Sequence, residues 1–177
     1  MRIKFITLLI VIFGSSLNCS AQKSDSTINS LNSKRKGGYS ETHLAILTGY
    51  NFWENHYIEL GLAWNERGQI GHHPHSSAYF VSTEYRLGSD PILGPKIGMW
   101  IDGGATGIAL GLNLICYTDF DETSFRFRPE IGTGFNGWKL VYGYNFALSN
   151  KSFESINTHN ITLAAAFSVK KIKTTRY

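Results

Sequence analysis

The chain has 177 residues, 42% of them hydrophobic and 14% aromatic, with 17 Lys and Arg against 13 Asp and Glu. That length suits one domain and is short for two. The formal charge of +4 falls to +2 once residues 1–21 are set aside, which gives nucleic-acid binding no support, and with only two cysteines, Cys19 and Cys116, the chain is not a disulfide scaffold.

The start reads as a secretory signal: the basic Met1-Arg2-Ile3-Lys4, an apolar run from Phe5 to Phe13, then the small-residue exit Ser20-Ala21-Gln22. The apolar run is far short of the roughly 20 residues a membrane-spanning helix needs. Cleavage is expected after Ala21. Cys19 resembles a lipidation site, but Asn18 and Ser16 stand where such sites want a small and an aliphatic residue. Removing residues 1–21 takes Arg2 and Lys4 from the 17 basic residues, leaving 15 against 13 acids, a charge of +2. It also leaves Cys116 without an intramolecular partner in an oxidising compartment.

Residues 22–42 are Ser, Asn, Lys and Gly with little that is apolar, and read as a flexible leader. The triplet Lys34-Arg35-Lys36 within it reads as a solvated charge run. From His43 onward come eight segments rich in Tyr, Phe, Trp, Ile and Leu, each closed by Gly, Asn, Asp or Pro and without helical period: 43–51, 56–66, 77–88, 92–102, 105–118, 123–135, 137–148 and 159–170. An even number of strands lets a meander close into an antiparallel barrel. A basic tail, 171–177, follows.

Alternate residues of a strand face opposite sides. In seven of the eight segments one parity is apolar, for example Ile58-Leu60-Leu62-Trp64, Ile108-Leu110-Leu112-Leu114 and Trp138-Leu140-Tyr142-Tyr144; the first segment is ambiguous. The other parity mixes Gly, Ala and Ser with Glu59, Glu84, Arg86, Lys96, Asp102, Arg126, Arg128, Glu130 and Lys139. An eight-stranded barrel encloses little more than its own side chains. The bulky apolar set does not fit such an interior, whereas small residues interleaved with long charged ones do. Polar-inside, apolar-outside is therefore the expected arrangement. A slip of the sixth strand by one residue would turn Arg126 and Arg128 outward, at about 2 to 4 kcal/mol each near a bilayer midplane, which fixes its register.

Segments of nine or more residues suit a tilted membrane-crossing strand of about 9 to 11. Phe52, Trp53, Tyr57, Trp64, Trp100, Tyr117, Phe120, Phe135, Trp138 and Phe146 sit near strand ends, where an interfacial girdle belongs. The pattern resembles the small outer-membrane β-barrel proteins of the OmpA and OmpX type, and in particular uncharacterised Bacteroidetes barrels of this size. The resemblance is carried by Gly94-Pro95-Lys96-Ile97-Gly98, Phe125-Arg126-Phe127-Arg128-Pro129-Glu130-Ile131-Gly132 and Leu140-Val141-Tyr142-Gly143-Tyr144-Asn145-Phe146. It implies a closed up-and-down transmembrane barrel in the cell outer membrane, surrounded by outer-membrane lipid, handled by the barrel-assembly machinery during biogenesis, monomeric and without a cofactor. One departure is that such barrels usually close their last strand on an aromatic residue, while here Phe167 is followed by Val169-Lys170-Lys171.

The nine charged residues of the polar parity carry both signs on neighbouring strands, so they are expected to pair across the lumen and fill it, leaving no open pore. His72, His73 and His75 read as a loop rather than a metal site, since Pro74 breaks their spacing and no carboxylate or cysteine adjoins them. His75-Ser76-Ser77, and Ser155 with His159, match no catalytic pattern. Gly103-Gly104 and Gly37-Gly38 read as turn and linker glycines. The expected role is therefore non-enzymatic, structural or surface-interacting. Two alternatives stand beside it. One is a soluble lipocalin-like barrel with Trp64, Tyr85, Phe127 and Tyr142 turned inward on an apolar ligand. The other is a lipid-modifying enzyme of lipid A deacylase type. With both chain ends on the inner side, residues 52–55, 89–91, 119–122 and 149–158 would form the outer loops, and 67–76 an unusually long inner turn.

Overall fold

The computed structural model describes residues 38–70, 72–104, 106–153 and 156–176. The expected signal peptide, Cys19, residues 22–37 of the leader and Ser155 lie outside them. Strand is the one regular element among the described residues: β1 (Tyr39–Phe52), β2 (His56–Ile70), β3 (His73–Leu87), β4 (Leu93–Gly103), β5 (Ile108–Thr118), β6 (Thr123–Phe135), β7 (Trp138–Tyr144), β8 (Phe146–Ala147) and β9 (His159–Arg176). Each pairs antiparallel with its neighbour in sequence, β7 and β8 sharing one place beside β6. Then β9 pairs with both β7 and β1, so the hydrogen bonds run around a closed ring of eight. The interruption between β7 and β8 falls at Asn145, whose backbone N–H donates to Thr158 O at 2.8 Å, in step with the β7–β9 pairing.

The register fixes the barrel's geometry. Thr42 pairs with Glu66, Glu66 with Ser77, Ser77 with Ile101, and so on through Leu110, Ile131, Tyr142 and Ile161, which pairs with Phe52. One circuit thus returns to β1 ten residues from where it left (52 − 42). With eight strands and ordinary sheet spacings, that stagger tilts the strands by about 40° to the barrel axis.

Side-chain parity follows the sequence closely. Leu60, Tyr79, Ile97 and Phe135 are 65%, 62%, 56% and 63% exposed on the outside, while Glu84 is fully buried and Arg128 is 1% exposed inside. The ambiguous first strand resolves with Leu44, Ile46 and Tyr50 out and Ala45, Leu47 and Asn51 in. Three expected girdle aromatics are corrected: Tyr57, Trp100 and Tyr117 are buried. Each shares the parity of a lumen residue of its own strand, namely Glu59, Asp102 and Asn113, and parity outranks nearness to a strand end.

The boundaries also differ. β1 begins at Tyr39, so residues 39–42 belong to the sheet rather than the leader, and β9 runs to Arg176 through the expected basic tail. The expected long turn at 67–76 shrinks, because β2 and β3 continue to Ile70 and His73. Pro74 is tolerated there because β4 ends at Gly103, its paired position against β3 being His75. On that side Pro74 offers only its carbonyl, which accepts Gly104 N–H at 3.1 Å. A two-residue turn, Asn136-Gly137, joins β6 to β7 with φ of 51° and 85°, the mirror-type turn whose twist suits a hairpin. Both the β1 start and the β9 end lie at the end of the barrel that carries these turns. The opposite end carries the segments 53–55, 88–92, 119–122 and 148–158.

Candidate functional site

Inside the barrel, two apolar clusters bracket a charged layer. Ala45, Leu47, Ala63, Ala78, Phe80, Trp100, Ala164 and Ala166 pack toward the turn end. Tyr57, Ile92, Ile115, Tyr117 and Phe153 pack toward the loop end, where the described residues between β8 and β9, 148–153 and 156–158, bring Phe153 and Ile156 onto the cluster. That segment is tied down by Asn157, whose carboxamide donates to Asn55 O at 2.7 Å and accepts from Asn55 N–H at 2.8 Å, while Asn145 donates to Asn157 O at 2.6 Å.

Among the described residues, four buried carboxylates, Glu59, Glu84, Asp102 and Glu130, are matched by four buried cations, Lys96, Arg126, Arg128 and Lys139. Lys96 Nζ lies between Glu59 Oε2 at 2.7 Å and Glu84 Oε1 at 2.8 Å. Arg128 grips Glu84 with both terminal nitrogens, at 2.7 and 3.1 Å, and donates its Nε–H to Asn145 Oδ1 at 2.7 Å. Tyr117 donates to the other Glu84 oxygen, and Ser82 to Glu59 at 2.6 Å. Lys139 pairs with Glu130 at 2.5 Å and sits 4.9 Å from the centre of the Trp100 ring. Bidentate pairing of this kind is what offsets the large cost of taking charges out of water.

The sheet builds this layer by placing glycine where a long neighbour must cross. A Cβ on Gly98 would stand 2.3 Å from Asn113 Oδ1 and 2.6 Å from the Phe80 ring. One on Gly111 would meet Glu130 Oε2 at 2.8 Å, and one on Gly143 the Arg128 stem at 3.0 Å. The alternation of small and long residues in the sequence is the signature of this interleaving.

Of the nine residues expected in the lumen, Glu59, Glu84, Lys96 and Arg128 form one network, and Glu130 with Lys139 a second. Asp102 stands apart, accepting from Trp100 Nε1–H at 3.1 Å. Arg126 donates to Ser124 Oγ at 2.9 Å. Arg86 is only half-buried at the loop-end rim and reaches Asp90 O at 3.4 Å, outside the network. Tyr117, Asn145, Ser82, Phe80 and Trp100 also belong to the layer. Of these the sequence pattern marks only Ser82 and Asn145 as inward, because Trp100 and Tyr117 sit near strand ends as girdle residues do and uncharged residues give no chemical signal of their own.

Outside, the apolar surface carries three hollows of about 610, 560 and 710 Å³, lined by such residues as Leu62, Trp64, Val81, Ile97, Met99, Leu110 and Ile131. Trp64, Tyr85 and Tyr142 are 50%, 41% and 42% exposed, so the inward aromatic cluster that a lipocalin-like interior requires is not formed. At the loop end, Arg86, Asp90, Asp119, Asp121, Glu122 and Phe153 line a polar hollow of about 550 Å³. There the backbone N–H groups of Glu122 and Asp121 donate to Asp119 Oδ1 at 2.8 and 3.1 Å and hold its carboxyl below the usual range.

Two of the described histidines meet tyrosines. His56 Nδ1 bonds Tyr50 OH at 2.7 Å, and His159 Nδ1 bonds Tyr142 OH at 2.6 Å. Among the described residues no group of three or more His, Cys, Asp or Glu is arranged to hold a metal ion. No family model matches the sequence, and no curated protein or solved structure matches it either.

Proposed function

We propose that the chain is a β-barrel of a bacterial outer membrane with a structural or surface-interaction role, its lumen plugged by paired charges and its loops presented on the side away from the chain ends. The observation that carries this reading is the inverted polarity of the barrel: a continuous exposed apolar band around an interior of buried ion pairs. In water an exposed apolar surface of that extent drives association, whereas lipid solvates it. A closed ring leaves no backbone edge within the band.

The band is graded as a bilayer is. Trp64, Tyr79, Phe135, Trp138 and Phe167 ring the turn end, and Tyr50, Tyr85, Phe125 and Phe146 the loop end. Aliphatic residues such as Leu60, Leu62, Ile97, Leu112 and Ile131 lie between them. The partners that follow are outer-membrane lipid and, during biogenesis, the assembly machinery that inserts such barrels.

The test is to express the full chain, separate the membranes and run the detergent-extracted protein on SDS gels with and without boiling. Recovery in the outer-membrane fraction with a heat-dependent mobility shift is the expected result. A protein soluble without detergent and without a shift would overturn the reading.

A further inference from the structure

The register between β1 and β9 breaks twice, at Thr42/His43 and at Leu44/Ala45. On β9 the extra residues are Ile172, between the partners Lys171 and Lys173, and Val169, between Ser168 and Lys170. A bulge leaves two consecutive side chains opposite a single partner, and so re-aims them. Without the bulges, the outward parity set by Phe167 would pass through Lys171. With them, Lys170 comes opposite Leu44 and Lys173 opposite Thr42, on the face that carries Ile46, Trp64 and the apolar band. Each bulge therefore sets an apolar residue beside a lysine on the outer face: Val169 with Lys170, then Ile172 with Lys173. Val169 and Ile172 are 63% and 44% exposed, and both lysines are exposed.

We propose that this double-bulged stretch of β9 is a binding site for anionic phospholipid headgroups in the leaflet at the turn end of the barrel. The proposal rests on the membrane reading above and adds a lipid class to it. The stretch continues directly from the turn-end aromatic ring, where Trp138 and Phe167 are in edge-to-face contact with ring centres 5.6 Å apart. Apolar side chains followed by lysines suit the boundary between acyl chains and phosphates, where the ammonium reaches the headgroup and the stem stays in the apolar layer.

The charges around it favour an anion. The outer face of the neighbouring strands offers one acid, Glu66, which already accepts a hydrogen bond from Ser40. Glu41 lies on the opposite face and is paired with Lys171 at 2.8 Å. Among the described residues Lys170 and Lys173 have no acidic partner.

The experiment uses the full chain in liposomes of phosphatidylcholine containing roughly a fifth phosphatidylglycerol. After gentle detergent release, the lipid retained on the protein is identified by native mass spectrometry. Phosphatidylglycerol should be retained in clear excess over its share of the bilayer. Lys170→Gln/Lys173→Gln should lower the ratio of retained phosphatidylglycerol to phosphatidylcholine by up to about thirtyfold, since each lysine near an anionic surface contributes about fivefold. Lys151→Gln, at the opposite end, should leave it unchanged. Equal retention of the two lipids, or an excess indifferent to Lys170 and Lys173, would overturn the site. Failure of the membrane reading looks different: the protein would neither enter the liposomes nor shift on heating.

Discussion

The Glu84 carboxylate touches Lys96, Arg128 and Tyr117 at once, so its charge is shared by more partners than that of any other lumen carboxylate described. Replacing it with the isosteric amide leaves buried Arg128 without a carboxylate and Lys96 with Glu59 alone. Glu84→Gln should lower the unfolding free energy by about 3 to 5 kcal/mol, read as a fall in the urea midpoint in detergent. Arg128→Gln added to it should cost much less than its own single-mutant penalty. Gly98→Leu tests the interleaving: with Asn113 and Phe80 already where its Cβ would stand, it should destabilise by overpacking, about 1 to 3 kcal/mol or more, whereas Gly104→Leu, with open space around its Cβ, strains only its own backbone. At this scale the sequence was legible where a charge marked the inward parity, Arg86 at the rim excepted. It was least so at Tyr57, Trp100 and Tyr117, where position near a strand end suggested lipid and the parity of Glu59, Asp102 and Asn113 decided otherwise.

Among the elements, β2 through β6 were recoverable from alternation because each has one apolar and one polar face. Alternation fails where both faces meet water. Residues 39–42, 66–69, 73–76 and 170–176 are mostly polar in sequence, and they join the sheet through backbone pairing with their neighbours. Nothing in their side-chain pattern announces a strand, which is why the leader, the turn and the tail all appeared longer than they are. The hairpin between β6 and β7 carries a sharper test. Gly137 has φ of 85°, and a Cβ there would stand 2.3 Å from the Arg67 guanidinium. Gly137→Ala should destabilise the barrel by about 1 to 2 kcal/mol from backbone strain alone, with a further loss as Arg67 is displaced from Ala166 O. Substituting Gly88, also at positive φ but with open space around it, should lack that second loss.

For the molecule as a whole, inside and outside are exchanged relative to a water-soluble barrel, and a single charge separates the two solvents. Leu112→Arg, on the outer face midway along β5, should cost about 2 to 4 kcal/mol when the barrel is measured in lipid vesicles. The same substitution at Phe120, 74% exposed in a loop, should cost little. Fold class and polarity were legible because they depend on a repeated pattern that no one residue controls. Role was not, because loops such as 88–92 and 119–122 obey no period.

The ten-residue stagger also says something about the order of the chain. Tyr39 and Arg176 are register partners, so the seam that closes the ring joins the first strand to the last and, its two bulges apart, is paired along the whole of β1. The barrel therefore has no intrinsic beginning. A chain in which a short linker runs from 176 to 39, with new ends opened within 149–152, would keep every strand pair. Its assembly would show whether closure at the β1–β9 seam is the last event of folding or merely the one that the order of synthesis leaves until the end.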